Sequence, residues 1–363
     1  MRVQRTSVGL DVHARSVMAV AIDEDTGEVR RQRLTPAFGD ITGWLGRLEG
    51  PVAVVYEAGP TGFGLYRHLQ AQGMSCVVAA PSKLHRPAGD RVKTDTNDAM
   101  LLARLLRLGE ITAVAVPSLE QETARDLVRA REDCRGDLMR ARHRLSKLLL
   151  RHGQVYSGGA AWTGAHERWL TGTARAALPA GGTVVAFDAG WETVQMVLAR
   201  RNELDRQIVI MATGSQYAPV VARLGCLRGI GTLTGFALAV EIGDWHRMTG
   251  RTIGAFVGLT PAEYSSGTSR SLGPITKAGN GHARRLLIEA AWHHRPRYQV
   301  GATLRARWDA APAAARVRGD AGNRRLHHRW VSFLERRKRG TVANTAIARE
   351  LAGWCWSLAV MDQ

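Results

Sequence analysis

The first hundred residues alternate short apolar runs with stretches of helical spacing, and this alternation restricts the fold more than any other feature of the sequence. The stretch from Ser7 to Ile22 predicts two strands around a polar turn at His13 to Ser16. The run from Val52 to Tyr56 is wholly apolar, as in a strand buried on both faces, and Met74 to Ala80 predicts a further strand.

Between and after these strands the apolar residues take the spacing of helices, first over Phe63 to Gln72 and then over Asn97 to Leu108. Strands that alternate with helices are typical of an α/β domain. We expect this domain to occupy residues 1–115.

A long helix is predicted after Pro117, because apolar residues recur there at gaps of three and four along one face. This coiled-coil-like seam consists of Leu127, Ala130, Cys134, Leu138, Ala141, Leu145 and Leu148. A second helical run, from Trp191 to Met211, could fold back on the first in the antiparallel direction. We expect a helical coiled-coil-like segment over residues 116–214, a mainly α-helical domain over residues 215–310 and a basic helical tail over residues 311–363.

Net charge separates this chain from an average globular protein. It has 50 Lys and Arg against 32 Asp and Glu, a formal charge of +18. A positive field of this size suits a polyanionic partner, and nucleic acid is the commonest one. A GC-rich genome would explain why Arg outnumbers Lys, but it would not explain the excess of basic over acidic residues.

Several features indicate a soluble, cytoplasmic protein. The four cysteines lie far apart and form no CxxC pair, so neither a zinc site nor a disulfide framework is indicated. The N-terminal residues contain no apolar stretch of signal-peptide length. Apolar runs also fall short of the roughly 20 residues that span a membrane.

Four carboxylates stand at positions where a metal-dependent nuclease would need them. Asp11 lies in the first predicted strand, and Glu57 directly follows the apolar strand that ends at Tyr56. Asp95 and Asp98 are three residues apart at the start of a helix and therefore share a face. Carboxylate oxygens are preferred ligands of Mg²⁺. The alternative for Asp95 or Asp98 alone is a helix N-cap.

A second candidate segment runs from Ala255 to Trp292. Ser265 and Ser266 precede Gly267 in a predicted loop, and basic residues follow. A serine hydroxyl attacks phosphorus when a base or metal withdraws its proton and cations stabilise the displaced charge. By chemistry alone, a loop serine such as Ser266 is more often a capped-turn residue than a nucleophile. Any base or metal would have to come from elsewhere in the fold or from another subunit.

Together these motifs resemble the DEDD-type transposases of bacterial insertion sequences, the family numbered 110. The resemblance rests on GLDVH around Asp11, VYEAGPTG around Glu57 and KTDTNDA around Asp95 and Asp98. GIGTLTGFALAVEIGD and FVGLTPAEYSSGTSRSLGPITKAGNGHARRLL are similar to the C-terminal transposase domain of the same family. The resemblance covers nearly the whole chain except the Gly-rich middle and the final tail.

The resemblance implies a RuvC/RNase H-like domain that carries the four carboxylates and binds Mg²⁺. It also implies a serine that forms a covalent phosphoserine link with DNA, and the motif position assigns Ser266, with Ser265 as the alternative. In the family, the serine of one protomer meets the carboxylates of another, which implies a dimer or tetramer. The helical seam would then be a dimerisation element. The alternative for the seam is a helical hairpin within one chain.

The same resemblance implies DNA as donor and target, together with a structured guide RNA, called a bridge RNA, that selects both sites by base pairing. Such a protein would act in the cytoplasm, in association with the nucleoid. Four basic residues are candidates for contact with nucleic acid: Lys93, Lys277, Arg284 and Arg285.

Two other functions are compatible with the sequence. A metal-dependent junction nuclease of RuvC type would need the four carboxylates but no serine. A transposon-derived nucleic-acid-binding protein would need neither, although all four acids and the serine are present.

Overall fold

The computed structural model describes residues 5–85, 94–266, 269 and 271–361. The chain forms two compact units, Met1–Pro117 and Ser118–Gln363. Over the described residues, no helix combines the length and the apolar character that crossing a bilayer requires. The finer division into four domains stays a prediction.

The first unit is built on a five-stranded mixed sheet. Its strands are β1 (Thr6–Val12), β2 (Val17–Asp23), β3 (Val29–Leu34), β4 (Val52–Glu57) and β5 (Ser75–Ala79), in the order β3-β2-β1-β4-β5. The first three strands are antiparallel neighbours, whereas β1, β4 and β5 run parallel. The α/β architecture predicted for this part is confirmed, although β3 was not predicted.

Helices cover both faces of this sheet. On one face, side chains such as Leu10 and Tyr56 pack in a cluster that includes residues of α1 (Phe38–Leu45) and α2 (Gly64–Ala71). On the other face lies α3 (Asp95–Arg107), whose Leu102 packs with Val55 of β4. Both faces of β1 and β4 are therefore buried, which explains the wholly apolar run in β4.

The second unit begins with a pair of long helices. Helix α4 (Leu119–Arg151) starts at Ser118, whose side chain accepts a hydrogen bond from the backbone N–H of Gln121. After the short α5 (Gly164–Trp169), α6 (Gly182–Gly214) returns antiparallel along α4. The predicted antiparallel return is present.

The seam of α4 is covered by the same chain. Cys134 and Leu145 pack in one cluster with Val194 and Val197 of α6, and the Cys134 thiol donates to the Val197 carbonyl. The structure therefore favours the intramolecular hairpin over the dimerisation seam. The predicted seam is wrong at Ala130, which is exposed, whereas its end residues Leu127 and Leu148 are partly buried against core clusters.

The rest of the second unit is mainly helical, as predicted. Its elements are α7 (Ala218–Leu224), α8 (Thr232–Ile242), α9 (Ile253–Phe256), β6 (Pro261–Glu263), β7 (Leu272–Ile275), α10 (Gly281–Ala291), α11 (Ala302–Asp309), α12 (Ala313–Glu335) and α13 (Gly340–Ala359). Phe236 of α8, Trp330 of α12 and Leu351 of α13 are fully buried in the main core of this unit. The short antiparallel pair β6-β7 forms a hairpin at its surface.

Candidate functional site

Asp11 and Glu57 lie at the same edge of the sheet. Leu10 of β1 is paired with Tyr56 of the parallel strand β4, so each acid occupies the next position on its strand. Neighbouring strands are about 4.8 Å apart, and their side chains at matched positions point to the same face. The parallel register thus places two carboxylates side by side at the carboxyl ends of β1 and β4.

Helix α3 adds the other two predicted carboxylates. It packs so closely on β1 that a Cβ atom at Gly9 would lie 2.0 Å from the Ala99 carbonyl oxygen. Gly9 is two residues before Asp11 and shares its face of the strand, so this contact brings the first turn of α3 to the acidic edge. Asp95 and Asp98 both lie in that turn.

The first turn of α3 is capped by a different residue. The side chain of Thr94 accepts the N-cap hydrogen bond from the backbone N–H of Asn97 at 3.2 Å. The N-cap alternative for Asp95 and Asp98 is therefore wrong, which leaves their carboxylates to other partners.

All four carboxylates line one cleft of about 1000 Å³ in the first unit. Burial raises the pKa of Asp11 above its ordinary value; His13 opposes this shift, and the negative charges of Asp98 and Asp95 add to it. Neighbouring acids whose charges repel in this way favour a bound cation.

Two residues of this site were not predicted from the sequence. His13 places Nε2 at 3.1 Å from Oδ2 of Asp11 and 3.8 Å from Oδ1 of Asp95. Arg33 of β3 places a guanidinium nitrogen 3.2 Å from Oδ2 of Asp95. The only signal for His13 is its distance of two residues from Asp11, which puts both side chains on the same side of an extended chain.

The donor set suits a divalent cation. Asp11, His13 and Asp95 each offer one ligand atom, and these three atoms lie within 4.8 Å of one another. Carboxylate oxygens with one imidazole nitrogen form a ligand set that hard and borderline divalent ions accept.

The serine segment forms part of the β6-β7 hairpin. Ser266 is exposed, and its backbone exchanges hydrogen bonds with Ser269 across the hairpin. The hydroxyl of Ser265 donates to Oε1 of Glu263 at 2.8 Å. An acid therefore contacts Ser265, the serine next to Ser266, and this contact was not predicted from the sequence. Gly267 lies outside the described residues.

The four basic residues predicted to contact nucleic acid have different surroundings. Lys277 is exposed, with a positive φ of 55°, whereas Lys93 lies outside the described residues. Arg284 donates to the carbonyls of Val257 and Ala278. Arg285 forms ion pairs with Glu132 and with Glu289, the latter at 2.6 Å. Two of the four guanidinium or ammonium groups are thus engaged within the unit, and contact with nucleic acid stays a prediction for all four.

A polar cluster in the second unit was also not predicted. The Glu241 side chain, at the end of α8, is 1 % exposed and accepts two hydrogen bonds from Arg129 of α4, each at 3.1 Å. It also accepts a hydrogen bond from Asn280 at 2.7 Å and one from His282 at 3.2 Å. One carboxylate thereby ties together α4, α8 and the start of α10.

Comparison with known proteins gives two family matches. Residues 8–153, which include the four carboxylates, match a DEDD-type family described as "Transposase". Residues 221–309, which include the serine segment, match the family described as "Transposase IS116/IS110/IS902 family".

Individual relatives match over almost the whole chain. A protein of Sinorhizobium fredii named as transposase y4qE is 36 % identical, over 97 % of this chain and 88 % of its own length. The transposase for insertion sequence element IS1533 of Leptospira borgpetersenii is 29 % identical, over 93 % of this chain and 99 % of its own. A protein of Pseudomonas aeruginosa named as a family 20 transposase is 28 % identical, over 97 % and 96 %.

Proposed function

This chain belongs to the IS116/IS110/IS902 family of insertion-sequence transposases, and on that premise we propose that it cuts and rejoins DNA strands at the carboxylates of Asp11, Glu57, Asp95 and Asp98. The observation that carries the proposal is their convergence on one cleft. The chain is thus a DNA transposase, an enzyme rather than a binding protein alone. The strand order β3-β2-β1-β4-β5 supports a RuvC/RNase H-like domain as its framework.

We further propose that Mg²⁺ is the cation of this site. A bound divalent cation neutralises charge on a scissile phosphate and lowers the pKa of an attacking hydroxyl. Asp11 and Glu57 are paired with neighbouring strands, and Asp95 opens the capped helix α3, so the backbone positions of these ligands are fixed before any ion binds. Arg33, beside Asp95, balances part of the negative charge.

The test is strand cleavage by carboxylate variants. We expect Asp11→Asn and Glu57→Gln to reduce Mg²⁺-dependent cleavage of DNA from the element's ends by about 10²-fold or more, because each removes a charged ligand of the cation. Asp25→Asn is a matched control, since that side chain is 72 % exposed in the same unit. Cleavage at the wild-type rate by both site variants would refute the proposal.

We further propose that cutting and rejoining proceed through a covalent phosphoserine intermediate on Ser266. Its hydroxyl would attack the scissile phosphate and release a DNA hydroxyl, and a DNA hydroxyl would then attack the phosphoserine and release the serine. Its exposed position on the β6-β7 hairpin supports Ser266 over Ser265, whose hydroxyl is already bonded to Glu263. With labelled DNA, a protein–DNA adduct should form with wild type and Ser265→Ala but not with Ser266→Ala. Cleavage by Ser266→Ala at the wild-type rate without any adduct would favour the RuvC-type nuclease, in which water attacks the phosphate directly.

A guide RNA and a homo-oligomer complete the proposal. The net charge of +18 supports binding to nucleic acid, and base pairing with a guide RNA would supply the sequence choice that backbone contacts lack. We expect cleavage at a defined site only when the RNA that flanks the element is added, and a mass of two or four chains in the active complex. Site-specific cleavage by the RNA-free protein would rule out the guide. Because the proposed substrate is DNA, we propose that the protein acts in the cytoplasm, in association with the nucleoid.

A further inference from the structure

We propose that His13 is a direct nitrogen ligand of the divalent cation, so that the site holds Mn²⁺ more tightly than Mg²⁺. This inference rests on the proposed function, because it takes the carboxylate cleft as a cation site. It adds a residue that the four-carboxylate pattern leaves out.

The positions of the ligand atoms carry the argument. Two ligands at right angles on an ion about 2.1 Å from each would lie about 3 Å apart. The His13 Nε2 atom is 3.1 Å from Oδ2 of Asp11, which matches that separation, and 3.8 Å from Oδ1 of Asp95. One ion can therefore contact all three atoms after small side-chain movements.

The backbone and exposure of His13 fit this role. Its N–H donates to the carbonyl of Ser16 at 3.0 Å, which closes the turn between β1 and β2 and fixes the start of the side chain. The imidazole is 55 % exposed, so it is not needed for packing, and it lines the same cleft as the four carboxylates. As a metal ligand, the imidazole would present the Nε2 lone pair to the cation in place of its hydrogen bond to Asp11.

The alternative is that His13 only forms an ion pair with Asp11. The two roles predict opposite effects on cation affinity. If His13 is a ligand, its removal weakens binding; if it is a competing positive charge, its removal tightens binding, as we expect for Arg33, which lies beside Asp95 and has no lone pair to donate.

The nitrogen ligand has a consequence for metal choice. Mg²⁺ favours an all-oxygen set with nearly octahedral geometry, whereas imidazole nitrogen suits transition metals. We therefore expect the full-length protein to bind Mn²⁺ about tenfold more tightly than Mg²⁺, and this preference should disappear in His13→Gln.

The experiment uses the full-length protein with Mn²⁺ as the probe. Electron paramagnetic resonance gives the Kd from the signal of free Mn²⁺, and its pulsed form detects a histidine nitrogen bound to the ion. We expect nitrogen coupling in wild type, its loss in His13→Gln, and a Kd raised about 10-fold or more. His143→Gln, at an exposed histidine of α4, should retain both the coupling and the Kd.

Three results would overturn the inference. If Mn²⁺ binds and Asp11→Asn abolishes binding, but wild type shows no nitrogen coupling, the cation site stands and His13 is not a ligand. A Kd that is unchanged or lower in His13→Gln would likewise mean that His13 does not bind the ion. If wild type binds no Mn²⁺, the proposed cation site itself fails and the inference fails with it. His13→Asn, a second variant of an exposed side chain, guards against a folding defect peculiar to Gln.

Discussion

At the scale of single residues, Glu241 has the most demanding environment in the second unit. Burial alone would raise its pKa, but the hydrogen bonds from His282, Arg129 and Asn280 outweigh burial and lower the pKa to about 2. The ionised form is therefore the one that the fold stabilises. A buried carboxylate held by three donors links the helices that carry them.

We predict that Glu241→Gln lowers the free energy of unfolding by about 2–3 kcal/mol at neutral pH, because the charge-assisted hydrogen bonds are lost. The folded-state pKa lies below the unfolded value near 4.5, so the stabilisation is fully present above that value. It is lost as the pH falls from about 4.5 towards 2. Urea unfolding at several pH values should show the gap between wild type and variant narrowing only in this acidic range.

Glu289→Gln is the matched control. That side chain is 58 % exposed and pairs with Arg285 one turn earlier in α10, so its loss should cost less than about 0.5 kcal/mol. If the difference in unfolding free energy between wild type and Glu241→Gln stayed constant down to pH 2, the stabilisation by Glu241 would not depend on its charge.

At this scale the sequence predicted the four carboxylates but not the residues around them, because those neighbours leave no pattern in the sequence. Asp11 and Glu57 end apolar strands, and that position is visible in the sequence. His13 has no spacing signal beyond its distance of two residues from Asp11, and Arg33 reaches Asp95 across 62 residues of chain. The partners of Arg284 are backbone carbonyls, which no pattern of side chains reveals.

At the scale of elements, the contact between β1 and α3 determines whether the acidic site forms. A Cβ at Gly9 would lie 2.0 Å from the carbonyl oxygen of Ala99 and 2.5 Å from the backbone nitrogen of Ala103, so α3 would have to move. We predict that Gly9→Ala costs about 1–3 kcal/mol in unfolding free energy. It should also weaken Mn²⁺ binding, because Asp95 and Asp98 move with the helix.

Gly43→Ala in α1 makes the same change where a Cβ meets nothing within 4 Å. A helical Ala is favoured over Gly, so this control should gain up to about 1 kcal/mol and bind Mn²⁺ as wild type does. Thermal unfolding and the Mn²⁺ titration together check both variants. Wild-type stability and affinity in Gly9→Ala would show that α3 does not need this close approach.

Helices and strands with a buried face were predictable from the sequence, whereas the exposed edge strand β3 was not. Strand β3 has the sequence VRRQRL, and five of its six residues are exposed, so it shows none of the apolar alternation that marks a half-buried strand. In α4, Ala124 and Val128 belong to the main core, whereas Cys134 to Leu149 pack with α6 in a separate cluster. The buried stripe shifts where the packing partner changes, and a single repeat therefore fails near this change, at Ala130.

At the scale of the whole molecule, the excess of 18 positive charges was the clearest sequence signal for the partner, because net charge does not depend on the fold. A protein that neutralises DNA phosphates releases condensed counterions, so the logarithm of its affinity for DNA falls linearly with the logarithm of the salt concentration. We predict that affinity for duplex DNA falls about 10³-fold or more between 50 and 200 mM salt. Fluorescence anisotropy with a labelled duplex, without divalent cation, measures this slope.

The same titration separates binding from catalysis. Asp11→Asn removes one negative charge from a cleft of four acids and leaves the basic residues in place, so its affinity and salt slope should match wild type or slightly exceed it. Its cleavage should nevertheless be lost, because the carboxylates act on the cation and not on the duplex as a whole. An affinity independent of salt would mean that the positive charge does not drive binding. A parallel loss of affinity in Asp11→Asn would mean that the acidic cleft itself organises the DNA-binding surface.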